Sequence, residues 1–195
     1  MGMRQSATGP ASNLPSLVLL FLLLLLAGCA WAQPRSAGEY QVKAAFLYNF
    51  AKFVDWPPDA FPQPSAPLHL CVFGEDPFGG ELERIVHEKI VAGHPLRVLQ
   101  PKRIAQARGC HILFVSSWDP KEVHSLLEAL KGSSTLTVGE TSEFTRLGGM
   151  ITFLLASGRV RFEINPDAAH EARLKISAKL LSLARIAHSN SGGGS

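Results

Sequence analysis

Ser116 and Ser117 follow His111 closely and precede His124, and this is the nearest the chain comes to a nucleophile with a base. A serine nucleophile needs an imidazole within hydrogen-bond reach, an acid to orient it and a sharp turn that exposes the hydroxyl. No nucleophile-elbow pattern surrounds Ser116, so hydrolysis is disfavoured. Metal chemistry fares no better: the seven histidines are scattered, with no pair at helical ligand spacing and no Cys/His cluster. His111, inside an apolar run, reads as a core or rim histidine that bonds to the backbone. Phosphate binding lacks a Gly-x-Gly-x-x-Gly or P-loop signature, and Glu75 and Asp76 repel anions. Asp76, before Pro77, reads as a helix cap. What remains is a weak ligand site of Gly74, Glu75, Ser116 and Ser117, with no cofactor and no metal expected.

These residues meet only if the strands before them are neighbours. Short apolar runs predict strands over 68–73, 94–99, 110–115, 135–138, 150–155 and 160–164, the last two joined through Ser157-Gly158 as a hairpin. Helices are expected from Asp76 to about Lys89 and over 101–107, 121–130, 142–147 and 166–187, and 56–67 is a proline-rich connector. Strand-helix alternation gives a doubly wound α/β domain. Its sheet is mixed, mostly parallel with an antiparallel edge hairpin, and is flanked by an N-terminal and a C-terminal helix. Ligands of such a sheet bind at the carboxyl ends of the strands, where Gly74, Ser116 and Glu140 fall.

The chain opens with a leader: one charge, Arg4, then the apolar run Leu17 to Ala27. The run is too short for a comfortable membrane span and reads as a signal peptide over 1–32. Cleavage falls either before Cys29, in the lipobox-like Leu26-Ala27-Gly28-Cys29, or after Ala32. The first outcome lipidates Cys29 and tethers the domain, and the second releases it into the periplasm. Residues 33–188 then form one domain, and 189–195 is a flexible Gly/Ser tail. Cys71 and Cys110 remain as an even pair in an oxidising compartment, so a disulfide is expected. A strand order of 2-1-3 makes their strands neighbours. The formal charge of +3 is spread along the chain with both signs interspersed, and no basic block points to nucleic acid.

The stretch from Tyr40 to Pro58 predicts an amphipathic helix with a core-facing stripe of Val42, Ala45, Phe46, Asn49, Phe50, Phe53 and Val54. Leu47 and Tyr48 fall on the opposite side, with Lys43, Ala44, Ala51 and Lys52. That side is either buried by the same domain or open to a partner. The same stretch resembles the opening signature of the YfiR family, periplasmic repressors of a membrane-bound diguanylate cyclase. Three further segments fit in order: Leu70 to Gly79, Gly148-Gly-Met-Ile151, and Arg161 to Asn165 followed by Leu174 to Ser177. The resemblance implies docking on the periplasmic sensor domain of the cyclase, repression of cyclic-di-GMP synthesis and hence of biofilm formation. On that reading the contact surface is Leu47, Tyr48, Lys52 and Trp56, with Phe162, Glu163, Ile164 and Lys175 as a second patch on an edge strand. A homodimer through the same helix is an alternative use of that face. A small regulatory ligand or solute at the strand-end rim is the reading from another class.

Overall fold

Strands form where runs of aliphatic and aromatic residues lie between turn signals. A computed structural model of the protein describes residues 35–117 and 119–187 together with Gly2; Cys29, both cleavage sites and the 189–195 tail lie outside the described residues. Strands β2 (Leu68–Phe73), β4 (His94–Leu99), β5 (Ile112–Val115) and β6 (Leu136–Gly139) are parallel and lie in the order β4-β2-β5-β6. Next, β7 (Ile151–Ala156) joins β6 in parallel, and β8 (Arg159–Ile164) returns antiparallel along its whole length. Ser157 and Gly158 both take positive φ, 50° and 72°, which suits a two-residue hairpin to the twist of its strands. Two short strands close the edges: β3 (Ile90–Val91) antiparallel to β4, and β10 (Arg185–Ile186) parallel to β8. The expected α/β class and mostly parallel mixed sheet are therefore observed.

Cys71 of β2 and Cys110, just before β5, form a disulfide with Cα atoms 5.9 Å apart. The 2-1-3 order puts the two strands side by side, as the pairing requires. With a sequence separation of 39, the closed loop contributes on the order of 3 to 4 kcal/mol in the chain-entropy view.

Helices cover both faces. On one lie α1 (Arg35–Phe53) and α2 (Glu81–Val86), packing Leu47, Phe50 and Leu82 on Leu70, Phe114 and Phe153. On the other lie α3 (Ile104–Ala107) and α4 (Pro120–Leu130), packing Ala107, Leu126 and Leu130 on Leu113 and Val115. Asp119 caps α4 by accepting the Lys121 N–H at 2.9 Å, with Pro120 at the first helical position.

Three expectations need correction. The final helix is not continuous: α5 (Pro166–Glu171) ends at Arg173, whose φ of 60° lets the Leu174 N–H reach back to Ala169 O at 2.9 Å. The chain then forms β9 (Lys175–Ile176), paired antiparallel with β1 (Val54–Asp55), followed by α6 (Ala178–Leu181) and β10. Asp76 caps no helix. It accepts the Phe78 N–H at 2.8 Å in a tight turn, and α2 begins only after Gly80. Residues 142–147 form turns rather than a helix, and hold the Phe144 ring against Gly139 and Gly149.

The rotation of α1 is set by an ion cluster. Lys43 reaches Glu140 at the end of β6 and also bonds to Glu39 at 2.5 Å; its side chain is 6% exposed and that of Glu140 7%. Tyr40 donates its hydroxyl to Glu140 Oε1 at 3.0 Å, and its ring lies 4.4 Å from the Lys43 ammonium. Burial first, then the Glu140 charge, push the Tyr40 phenol far above its ordinary range, so it acts only as a donor.

Removing Glu140 leaves buried Lys43 with only the more exposed Glu39 as its counter-charge, so Glu140→Gln is expected to lose about 2–3 kcal/mol in urea unfolding. The triple variant Glu39→Gln/Lys43→Met/Glu140→Leu should lose less, because no charge of the cluster is left behind. At Gly139 an added Cβ would fall 2.4 Å from Phe144 Cγ. Gly139→Ala should therefore cost about 1–3 kcal/mol, with a smaller loss when Phe144 is first replaced by Leu.

Candidate functional site

The crevice where the strand order reverses lies between the exits of β2 and β5. Gly74 takes a φ of 97°, and a Cβ there would meet Ser116 Oγ at 2.7 Å. That close approach is what brings Gly74, Glu75, Ser116 and Ser117 together, as the sequence predicts. The hydroxyls are already used. Ser116 donates to the Glu75 carbonyl at 2.6 Å, and Ser117 donates to Glu122. The Ser116 bond ties the two strand exits to each other. His111 lies at the opposite end of β5, about 16 Å from Ser116 along an extended strand, so the two cannot form a catalytic dyad. The crevice is about 440 Å³ and is lined by Tyr40, Glu75, Asp76, Glu122 and Glu140. Its acidic walls oppose an anionic ligand, and Glu140 is neutralised by Lys43.

The second candidate surface is α1. Leu47 is 0% exposed, and so are Ala44 and Phe50 beside it. Of the two alternatives for the Leu47 side, burial by the same domain holds for Lys43, Ala44, Leu47 and Ala51, and Leu47 is removed from the predicted contact surface. The opposite stripe faces outward: Val42 is 44% exposed, with Ala45, Phe46, Asn49 and Phe53 half-buried. Between α1 and α2 this stripe forms an open groove of about 430 Å³, completed by Ile85 and Arg84. The helix does carry more apolar surface than its own domain hides, on the side predicted to be core. Of the other predicted residues, Lys52 is exposed on the outward side and Tyr48 is half-buried at its edge. The Lys52 ammonium lies 5.4 Å from the Tyr48 ring centroid.

The second predicted patch divides. Phe162 and Ile164 are buried, and Phe162 packs edge-on against Phe46 and Phe50 at 5.3 Å. Glu163 is buried too, accepting from Thr145 Oγ1 at 2.6 Å and from Arg185 Nε at 3.0 Å. Two contacts account for this: Phe162 lies under α1 against Phe46 and Phe50, and β8 is not an edge strand, since β10 pairs with it at Glu163 and Ile164. Lys175 stays exposed on β9, opposite Asp55, one residue from half-buried Trp56. Of the predicted contact residues Tyr48, Lys52, Trp56 and Lys175 therefore stay at the surface, and Val42, Ala45, Phe46 and Asn49, expected in the core, join Lys52 there.

Among the described residues no helix is long and apolar enough to cross a membrane. None of their His, Cys, Asp and Glu side chains form a group of three arranged to hold a metal ion. No curated protein matches the chain. The sequence profile of the YfiR/HmsC-like family matches residues 40–185, which includes every strand of the main sheet except the last residue of β10. The chain belongs to the YfiR/HmsC-like family.

Proposed function

We propose that the protein is a non-enzymatic periplasmic regulator that binds the sensor domain of an inner-membrane diguanylate cyclase and represses cyclic-di-GMP synthesis. Family membership supports the class of partner. The half-open apolar stripe of α1 is the observation that carries the docking surface. Its groove combines apolar floor residues with Arg84, Glu81 and Asn49 at the rim, a composition suited to a specific interface. Repression is then a shift of populations: the regulator binds the inactive form of the cyclase more tightly than the active one. Acylation of Cys29 would tether the domain to the membrane. Cleavage after Ala32 would instead let the domain diffuse to the same partner.

Val42→Glu and Lys52→Glu are expected to weaken co-purification with the cyclase's periplasmic domain at least tenfold while moving the melting temperature by no more than about 3 °C, since neither residue is in the core. Leu47→Glu, by contrast, should lower the melting temperature sharply, by burying a charge under the helix. Wild-type affinity in both surface variants would remove the α1 groove from the reading. Failure of the wild-type protein to bind the cyclase would remove the reading itself.

A further inference from the structure

The proline-rich segment between β1 and β2 is held by two histidines of the sheet. Trp56 Nε1–H donates to His111 O at 3.3 Å, His111 Nε2–H donates to Ala60 O at 3.2 Å, and His94 Nδ1–H donates to Ala66 O at 2.7 Å. The Phe61 ring lies between the two imidazoles, with centroids 3.7 Å from His94 and 4.4 Å from His111 at interplanar angles of 11° and 18°. His111 Nδ1 accepts the His69 backbone N–H at 3.1 Å. That bond fixes the tautomer, with the hydrogen on Nε2. His111 is 6% exposed, so both ring nitrogens of a buried imidazole are committed.

A second proton can enter only at Nδ1, where it would turn an acceptor into a donor facing another donor. Nothing nearby compensates. The groups facing this end of the sheet are His69 on β2, His94 on β4, Arg108 after α3, Arg173 after α5, and Asp59 on the segment itself. Asp59, the one carboxylate among them, is bonded to Arg173 at 2.8 Å. Burial pulls the His111 imidazole down to about 4; the Ala60 carbonyl works against this, and the charges of His69 and His94 add to it.

We propose that His111, Phe61 and His94 form an acid-sensitive latch: a proton on His111 sets Nδ1–H against the His69 N–H, and the charged ring, buried beneath Phe61, reaches water only when the segment 56–67 lifts off it while the sheet stays folded. The closed segment excludes a proton that the open one accepts. Closure is therefore fully favoured above the free-histidine range near 6.5 and weakens as pH falls toward 4. One proton changes the closed-to-open ratio by up to about tenfold per pH unit in that window. The latch needs no cyclase, so its failure would leave the proposed function standing.

The test is amide hydrogen exchange on the exported protein from pH 7 to 4.5, corrected for intrinsic rates, with far-UV circular dichroism and an NMR titration of the His111 ring. Protection of His69 and of 60–67 should fall at least tenfold between pH 6 and 4.5, before the His111 ring of the closed form titrates, while β5 and β6 stay protected and the dichroism is unchanged. His111→Gln should make the protection of this segment independent of pH. Should that variant not fold, the wild type decides alone, through loss of protection confined to this segment with the His111 ring titrating well below 6.5. Protection constant to pH 4.5, protection lost only with global unfolding, or the same pH dependence in His111→Gln would overturn the latch.

Discussion

Burying Lys43 decides which way the first helix faces. A lysine this deep is tolerated only where carboxylates answer it, and Glu140 can do so only at one rotation of α1, with Tyr40 donating to the same carboxylate. At that rotation Ala44 and Ala51 meet the sheet, and their small side chains let the helix approach closely enough for Leu47 and Phe50 to reach Phe114 and Phe153. The larger Phe46 and Phe53 are left to straddle the boundary with solvent. The open groove is therefore a consequence of the ion cluster, since turning the helix to hide Val42 and Ala45 would pull Lys43 off Glu140.

The sheet was legible because its signals are local. The apolar runs, the Ser157-Gly158 turn and the proline-rich connector each act over a few residues, and strand order followed from short right-handed crossovers together with the Cys71–Cys110 pair. The face of α1 was not legible. Periodicity ranks side chains by hydrophobicity, so a stripe holding Lys43 and two alanines scores below one holding Val42, Phe46 and Phe53. The contact that reverses the ranking spans 97 residues of sequence. The broken final helix hid for a different reason. Its stop at Arg173 uses a left-handed residue that is not glycine, and nothing in the local sequence marks it.

The candidate site was legible in the same uneven way. Gly74, Glu75, Ser116 and Ser117 meet because the strand order was read correctly, yet the Ser116 hydroxyl serves to tie β2 to β5. Phe162, Glu163 and Ile164 alternate as an edge strand would, but α1 covers Phe162 through Phe46 and Phe50, and β10 returns from residue 185 to pair with Glu163 and Ile164.

The two ends of the sheet thus do different work. At the carboxyl end the hydroxyls and the lysine are committed to joining strands and seating α1, which leaves little free chemistry for a ligand. At the amino end the segment after β1 is held by histidine bonds and a ring stack, and few of its side chains are buried. Local opening follows low burial, so that segment can move at small cost while the helix before it cannot. Leu47, Phe50 and Val54 stay packed whatever the segment does, because their contacts are to the sheet itself. A change at His111 would consequently reach the corner of Trp56 and Lys175 and leave the groove of Val42 and Phe46 in place, which separates the proposed acid-sensitive edge of the molecule from the proposed docking face.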